Sequence, residues 1–159
     1  MQQVDHPNIV KYYETYEDKK FIYLCMELMT GGELIDKKNT VSEENAAFYF
    51  TRVVKAIQHC NAQNIVHRDI KPENIMFDHD KQVKLIDFGF ATVKGKKKLN
   101  DVVGTPYYIA PEIINEKPYS GECDMWSLGV VLYQYLTGTM PFDGNSIDQC
   151  FSAIKKGKF

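Results

Sequence analysis

Residues Asp124 to Thr137 limit the fold of this chain more than any other stretch. Met125, Trp126, Leu128, Val130, Val131, Leu132, Tyr135 and Leu136 leave almost no polar face at helical spacing. A helix that is apolar all round has nowhere to meet water, so the pattern predicts a buried central helix. Gly138 supplies its stop. The remainder of the chain must cover that helix. Its 159 residues suit about one domain, and a 44% apolar content with ten Tyr and nine Phe supplies a core.

Composition removes several classes. The longest apolar run, Leu128 to Tyr133, is too short to span a bilayer. The opening residues MQQVDHPNIV lack a basic-then-apolar leader pattern. Nineteen Lys and Arg against 21 Asp and Glu give a net charge of −2, with no basic excess to attract nucleic acid. Cys25, Cys60, Cys123 and Cys150 form no CxxC pair, which argues against a zinc ribbon, a thioredoxin-type site or a disulfide framework. Cys25, Cys60 and Cys123 read as small buried hydrophobes. His6, His59 and His79 read as packing or surface groups. The expectation is a reduced, intracellular, cytoplasmic globular protein with no membrane span and no nucleic-acid partner.

Local patterns place the elements. Ile9–Tyr16 and Phe21–Glu27, rich in Ile, Val, Tyr and Phe, predict two strands joined across Glu17–Lys20. Thr30-Gly31-Gly32 breaks that pattern. Ser42 is an N-cap candidate with Glu43 and Glu44 in the first turn, and the apolar spacing of Ala46 to Ile57 predicts a helix over 43–62. Ile75–Phe77 and Val83–Ile86 predict a hairpin around Asp78–Gln82. A calcium loop there is rejected, because the required Gly and terminal Glu do not follow. Asp78, Asp80, Asp143 and Asp148 read as cap or turn residues. Residues 87–112 have no period, and a helix begins near Ser146.

The chemistry gathers in three ordered motifs. His67-Arg68-Asp69-Ile70-Lys71-Pro72-Glu73-Asn74 comes first, Asp87-Phe88-Gly89 second and Ala110-Pro111-Glu112 third. Their order and separation resemble the catalytic segment of eukaryotic protein kinases. The resemblance implies an α+β, protein-kinase-like fold, present in part. Residues 1–27 would be the last strands of a small lobe, 28–32 a hinge and 33–159 most of a mainly helical large lobe. It implies ATP and Mg2+ as cofactors and Ser or Thr hydroxyls of proteins as substrates. Asp69 would accept the hydroxyl proton, and Lys71 would neutralise the transferring phosphate. Asn74 and Asp87 would hold magnesium, and Thr105 would shape the acceptor site beside Asp69. Gly89 would let the backbone turn after Asp87. His67 and Phe88 would stack in an apolar spine, with Tyr12 at its third level. Adenine would meet the backbone of Glu27 and Met29, with Met26 as gatekeeper, Met76 as floor and Glu73 beside the nucleotide. Glu33 and Glu73 would also pair with a substrate arginine upstream of the acceptor.

Lys71 placed two residues after Asp69, with Gly104-Thr105-Pro106-Tyr107-Tyr108, resembles serine/threonine rather than tyrosine kinases. HPNIVK, MELMTGGEL and LNDVVGTPYYIAPE resemble the calcium/calmodulin-dependent group, most of all the calcium-dependent kinases of plants and protists. Calcium control through a calmodulin-like region of the parent protein is therefore an implied partner. Val93–Gly104 contains no Ser or Thr, so Asp101 is expected to give Arg68 the negative charge that a phosphate would otherwise supply. Lys94, Lys96, Lys97 and Lys98 read as a solvated surface.

The ten glycines contain no GxGxxG. Ala153-Ile154-Lys155 imitates the strand lysine signature, but lies in a helical pattern after the catalytic motifs and is a decoy. Residues 34–42 are shorter than the resemblance leads one to expect, which bears on ribose contacts. The expectation is that the isolated chain transfers no phosphate and is part of a larger kinase. The alternatives are a truncated, non-catalytic scaffold or competitor, and a calmodulin-regulated kinase without calcium-binding loops of its own.

Overall fold

The computed structural model describes residues 4–35, 42–95 and 98–159. Strands β1 (Tyr12–Glu17) and β2 (Ile22–Met26) form an antiparallel hairpin. β3 (Gly32–Glu33), β5 (Ile75–Phe77) and β6 (Val83–Leu85) form a three-stranded sheet with β5 central. β4 (Ile65–Val66) pairs with β7 (Thr92–Val93). The helices are α1 (Glu43–Ala62), α2 (Pro111–Ile114), α3 (Glu122–Thr137) and α4 (Ile147–Lys156). Short 3-10 turns cover Pro72–Asn74 and Pro106–Tyr108. The expected α+β mixture agrees with this architecture.

Helix α1 begins and ends where its sequence directs. Ser42 Oγ accepts the Asn45 amide at 3.1 Å, and Glu43 and Glu44 sit in the positive first turn. Ala46, Phe50, Val53, Ala56, Ile57 and Cys60 form its buried stripe, which packs on α3 and β6. Each fully buried Val or Ile there contributes roughly 1.5–3 kcal/mol.

Two expectations change in the structure. Helix α3 starts at Glu122, and it is not buried all round. Cys123, Asp124, Ser127, Leu128, Val130, Val131 and Tyr135 are buried, while Met125 is 41% and Leu136 43% exposed. Apolar content alone did not reveal which face lacks a neighbour. Gly138 does stop the helix, at φ 73°, with its amide donating to the Gln134 carbonyl at 2.9 Å. The strand expected from Ile9 begins only at Tyr12. Ile9 and Val10 instead join β6: the Val10 amide donates to the Leu85 carbonyl at 2.9 Å, and the Leu85 amide donates to Asn8 at 2.9 Å. That bond pair ties the segment before β1 to the strand that leads into Asp87.

Cys60, Cys123 and Cys150 are buried and free, whereas Cys25 is only half-buried. Part of the short 34–42 connection and two of the four lysines near 96 lie outside the described residues. No helix among the described residues is long and apolar enough to cross a membrane.

Candidate active site

The 3-10 turn after Lys71 and the β5–β6 hairpin fold the first two motifs against each other. Pro72 starts the turn at a position where no amide is needed. The Ile86 amide then donates to the Asn74 carbonyl at 2.9 Å, so Asn74 lies against the residue before Asp87. Asn74 is buried, and its Nδ2 donates to Asp69 twice, to the carbonyl at 2.9 Å and to Oδ2 at 3.2 Å.

Asp69 is the centre of the cluster. Thr105 Oγ1 donates to its Oδ1 at 2.6 Å, and Lys71 Nζ lies 2.8 Å from its Oδ2. Lys71 Nζ also donates to Thr105 Oγ1 at 3.2 Å. Burial pushes the Asp69 carboxyl upward, but the Lys71 and Thr105 hydrogen bonds outweigh it and hold the group below its ordinary range. The same bond to Asp69 raises the Lys71 ammonium, against some opposition from burial. The result is a fixed carboxylate and a fixed cation side by side. Such a carboxylate is a weak base at rest. It suits orienting a hydroxyl and taking its proton late, as the new bond forms.

Backbone geometry puts the flanking groups in place. Arg68 (φ 70°) and Asp87 (φ 55°) occupy left-handed conformations, which cost energy for side-chain-bearing residues. The strain at Arg68 is held by Asp124 of α3, whose Oδ2 accepts the His67 amide and Oδ1 the Arg68 amide, both at 2.8 Å. Asp124 is almost fully buried, and burial raises its carboxyl despite His67 and the two amides. Nothing in the local sequence marks Asp124 for this role beyond a carboxylate in the first turn of an otherwise apolar helix.

The Asp-Phe-Gly turn also differs from expectation. The positive φ falls on Asp87, not Gly89. Asp87 Oδ1 accepts the Gly89 amide at 3.0 Å, and a Cβ on Gly89 would meet that oxygen at 3.0 Å. A side chain at Gly89 would shift the Asp87 carboxylate slightly, and the Gly89 backbone is not left-handed. The rings of His67 and Phe88 meet edge to face at 4.7 Å. The Asp69 amide donates to His67 Nδ1 at 3.3 Å, which leaves Nε2 to donate to the Ile86 carbonyl at 3.0 Å. Tyr12 does not join them: its hydroxyl bonds Thr15, and no ring contact with Phe88 forms among the described residues.

Magnesium takes oxygen ligands and keeps several waters and phosphate oxygens, so it needs few protein donors. The donors here fit that demand. Asn74 uses its Nδ2 on Asp69, which leaves Oδ1 as an acceptor, and Asp87 has Oδ2 beyond the one oxygen engaged by Gly89. Among the described residues no group of three His, Cys, Asp or Glu assembles that could hold a metal ion.

The residues expected beside the nucleotide gather around the three-stranded sheet, with Glu33 on β3 and Met76 on the central strand β5. The Gly31 amide donates to the Phe77 carbonyl at 2.8 Å, and a Cβ on Gly31 would come within 2.5 Å of the Asp78 carbonyl. Glu27 Oε1 pairs with Lys84 Nζ at 2.7 Å, and Lys84 is the register partner of Met76. Met26–Met29 is thus drawn toward Met76. Met29 and Met76 are half-buried, and Met26 is exposed. Glu33 lies opposite Met76 across the sheet, and β3 lies against the turn that carries Glu73. Both Glu33 and Glu73 are exposed.

The motif residues thus gather into one cluster, a carboxylate braced by lysine and threonine with the Asn74 amide beside it. A sequence profile described as protein kinase domain matches residues 1–158, and the chain belongs to the protein kinase family. It is 46% identical to calcium-dependent protein kinase 5 of Plasmodium berghei and 45% identical to that of Plasmodium falciparum. It is 39% identical to a Dictyostelium discoideum protein named "Probable serine/threonine-protein kinase". Each alignment covers 100% of this chain, but 29%, 29% and 20% of the respective relatives. The chain spans less than a third of their length.

Proposed function

We propose that the protein carrying this chain transfers the γ-phosphate of ATP to serine or threonine hydroxyls of other proteins. The observation that supports this best is the bracing of Asp69 by Thr105 at 2.6 Å and Lys71 at 2.8 Å. An incoming hydroxyl beside Asp69 is oriented by the carboxylate and gives up its proton to it. Lys71 stands where charge grows on the transferring group, so its cation stabilises that charge. Asn74 and Asp87 hold magnesium, which neutralises phosphate charge when bound. The backbone of Glu27 and Met29 takes the adenine, with Met26, Met76 and Glu73 around the nucleotide. In this assignment 1–27 ends the small lobe, 28–32 is the hinge and 33–159 belongs to the large lobe.

Three finer assignments go with this. Glu33 and Glu73, exposed on neighbouring elements, favour substrates with arginine before the acceptor. Calcium controls the parent protein, in keeping with the names of the Plasmodium relatives. The protein works in the cytoplasm. The test is phosphotransfer from Mg-ATP to a Ser/Thr peptide with and without upstream arginine, with and without calcium. Phosphate incorporation on the arginine-bearing peptide is expected. Tight peptide binding without incorporation would instead favour a non-catalytic competitor.

A further inference from the structure

One short segment, Tyr119 to Asp124, touches both halves of the acceptor site. From its far end Asp124 holds the amides of His67 and Arg68, and so sets the catalytic loop. From its near end Tyr119 reaches the segment that carries Thr105. The Leu99 amide donates to the Tyr119 carbonyl at 3.0 Å, and the Tyr119 amide donates back to Leu99 at 2.9 Å. These two bonds form an isolated antiparallel bridge in an otherwise irregular stretch. The Tyr119 hydroxyl extends it, donating to the Asp101 carbonyl at 2.8 Å. The same oxygen accepts from Arg68 Nη1 at 3.4 Å, a long bond. The side chain is 3% exposed, so its hydroxyl has these partners in place of bulk water.

We infer that Tyr119 is a positioning residue: its hydroxyl clasps the 99–103 segment to Arg68 and thereby holds Thr105 against Asp69. The step from clasp to acceptor site is short. Asp101 lies four residues before Thr105, and Gly104 passes so close to the catalytic loop that a Cβ there would meet the Arg68 carbonyl at 2.8 Å. Without the hydroxyl, the Asp101 carbonyl and one guanidinium N–H each lose a partner in a half-buried place. The backbone bridge at Leu99 then carries the segment alone. The Arg68–Asp101 ion pair does not replace it, because Asp101 is 72% exposed there.

This inference rests on the phosphotransfer proposed above, and its test separates the two. Tyr119→Phe removes the hydroxyl and keeps the ring. Amide hydrogen exchange reads the clasp with no catalytic turnover, and steady-state kinetics of the parent protein read its consequence. The Leu99 amide in the unmodified protein is expected to exchange far more slowly than an exposed loop amide. In Tyr119→Phe it exchanges about tenfold faster while α3 amides stay protected. The kcat for a Ser/Thr peptide falls about tenfold, in the direction expected for loss of Thr105 itself, with the KM for ATP unchanged.

Unchanged exchange at Leu99 in the variant overturns the clasp. Faster exchange with unaltered peptide kinetics overturns the positioning role. If the variant loses protection throughout α3, the unmodified protein decides, since a Leu99 amide exchanging like an open loop overturns the inference by itself. Failure of the unmodified protein to phosphorylate any Ser/Thr peptide would defeat the kinase reading, and with it the positioning role, while exchange would still report whether the clasp exists.

Discussion

Arg68 and Asp101 meet across 33 residues of sequence, with Nη1 3.2 Å from Oδ2. The pair supplies a carboxylate to the catalytic-loop arginine in a stretch, Val93–Gly104, that has no Ser or Thr to phosphorylate. The Arg68 side chain is 10% exposed and also donates to the Phe90 carbonyl at 2.7 Å, whereas Asp101 is mostly open. An open partner limits the strength of the pair to about 1 kcal/mol. Asp101→Asn is therefore expected to lower phosphotransfer by the parent protein about two- to fivefold, more at low salt than at high. Equal activity of the two proteins at low salt would remove Asp101 from the mechanism.

Thr105 offers a sharper contrast, because its hydroxyl serves both Asp69 and Lys71. Thr105→Ala should reduce kcat about 10- to 100-fold, the cost of a lost bond to a charged group. Thr105→Ser retains the oxygen and should recover most of that loss. A serine variant as poor as the alanine one would mean that the methyl group, and not the hydroxyl, matters.

Asp124 acts on stability first. Each of its oxygens accepts one backbone amide, so Asp124→Asn turns an acceptor into a donor that faces a donor. The expected loss is about 1–3 kcal/mol in urea unfolding, with unchanged dependence on denaturant. A change below about 0.5 kcal/mol would contradict its role as the anchor of the catalytic loop.

Acid should weaken the fold partly through His6. Burial, followed by neighbouring His59, lowers its imidazole below the ordinary 6.5. Asp5 acts the other way and Lys55 acts with His59. Its Nδ1 accepts the Asn8 amide at 3.0 Å, a bond open only to the neutral ring. The unfolded chain therefore binds a proton near pH 6.5 that the folded chain refuses. Stability rises with pH through that window and is lost as pH falls below 6.5. Gln in place of His6 still accepts from Asn8 but does not titrate. His6→Gln should lose less stability between pH 6.5 and 5.5 than the unmodified protein, and equal losses would exclude His6.

Much of this was legible in the sequence because local chemistry and tertiary context agree. Ser42 caps α1, and the apolar spacing of Ala46 to Cys60 faces the core. The motif residues Asp69, Asn74 and Thr105 do meet, and Arg68 and Asp101 make the contact that the kinase resemblance implies. What escaped depends on neighbours far away in the chain. Ile9 joins β6 because Leu85 offers an open edge, and no local pattern records that. Met125 and Leu136 look like core residues but are 41% and 43% exposed. The turn expected at Gly89 falls two residues earlier, on Asp87, since sequence shows which residue tolerates a turn and not which one makes it. The role of Asp124 is not legible locally because its partners are backbone amides 57 and 56 residues away.

The most direct measurement is phosphate incorporation from Mg-ATP into an arginine-bearing Ser/Thr peptide by the parent protein, unmodified and as Asp69→Asn. If Asp69 orients the hydroxyl and takes its proton, the variant keeps its affinity for ATP and loses about 100- to 10,000-fold in kcat. An Asp69→Asn protein that turns over at the unmodified rate would contradict the assignment of this cluster as the phosphotransfer site.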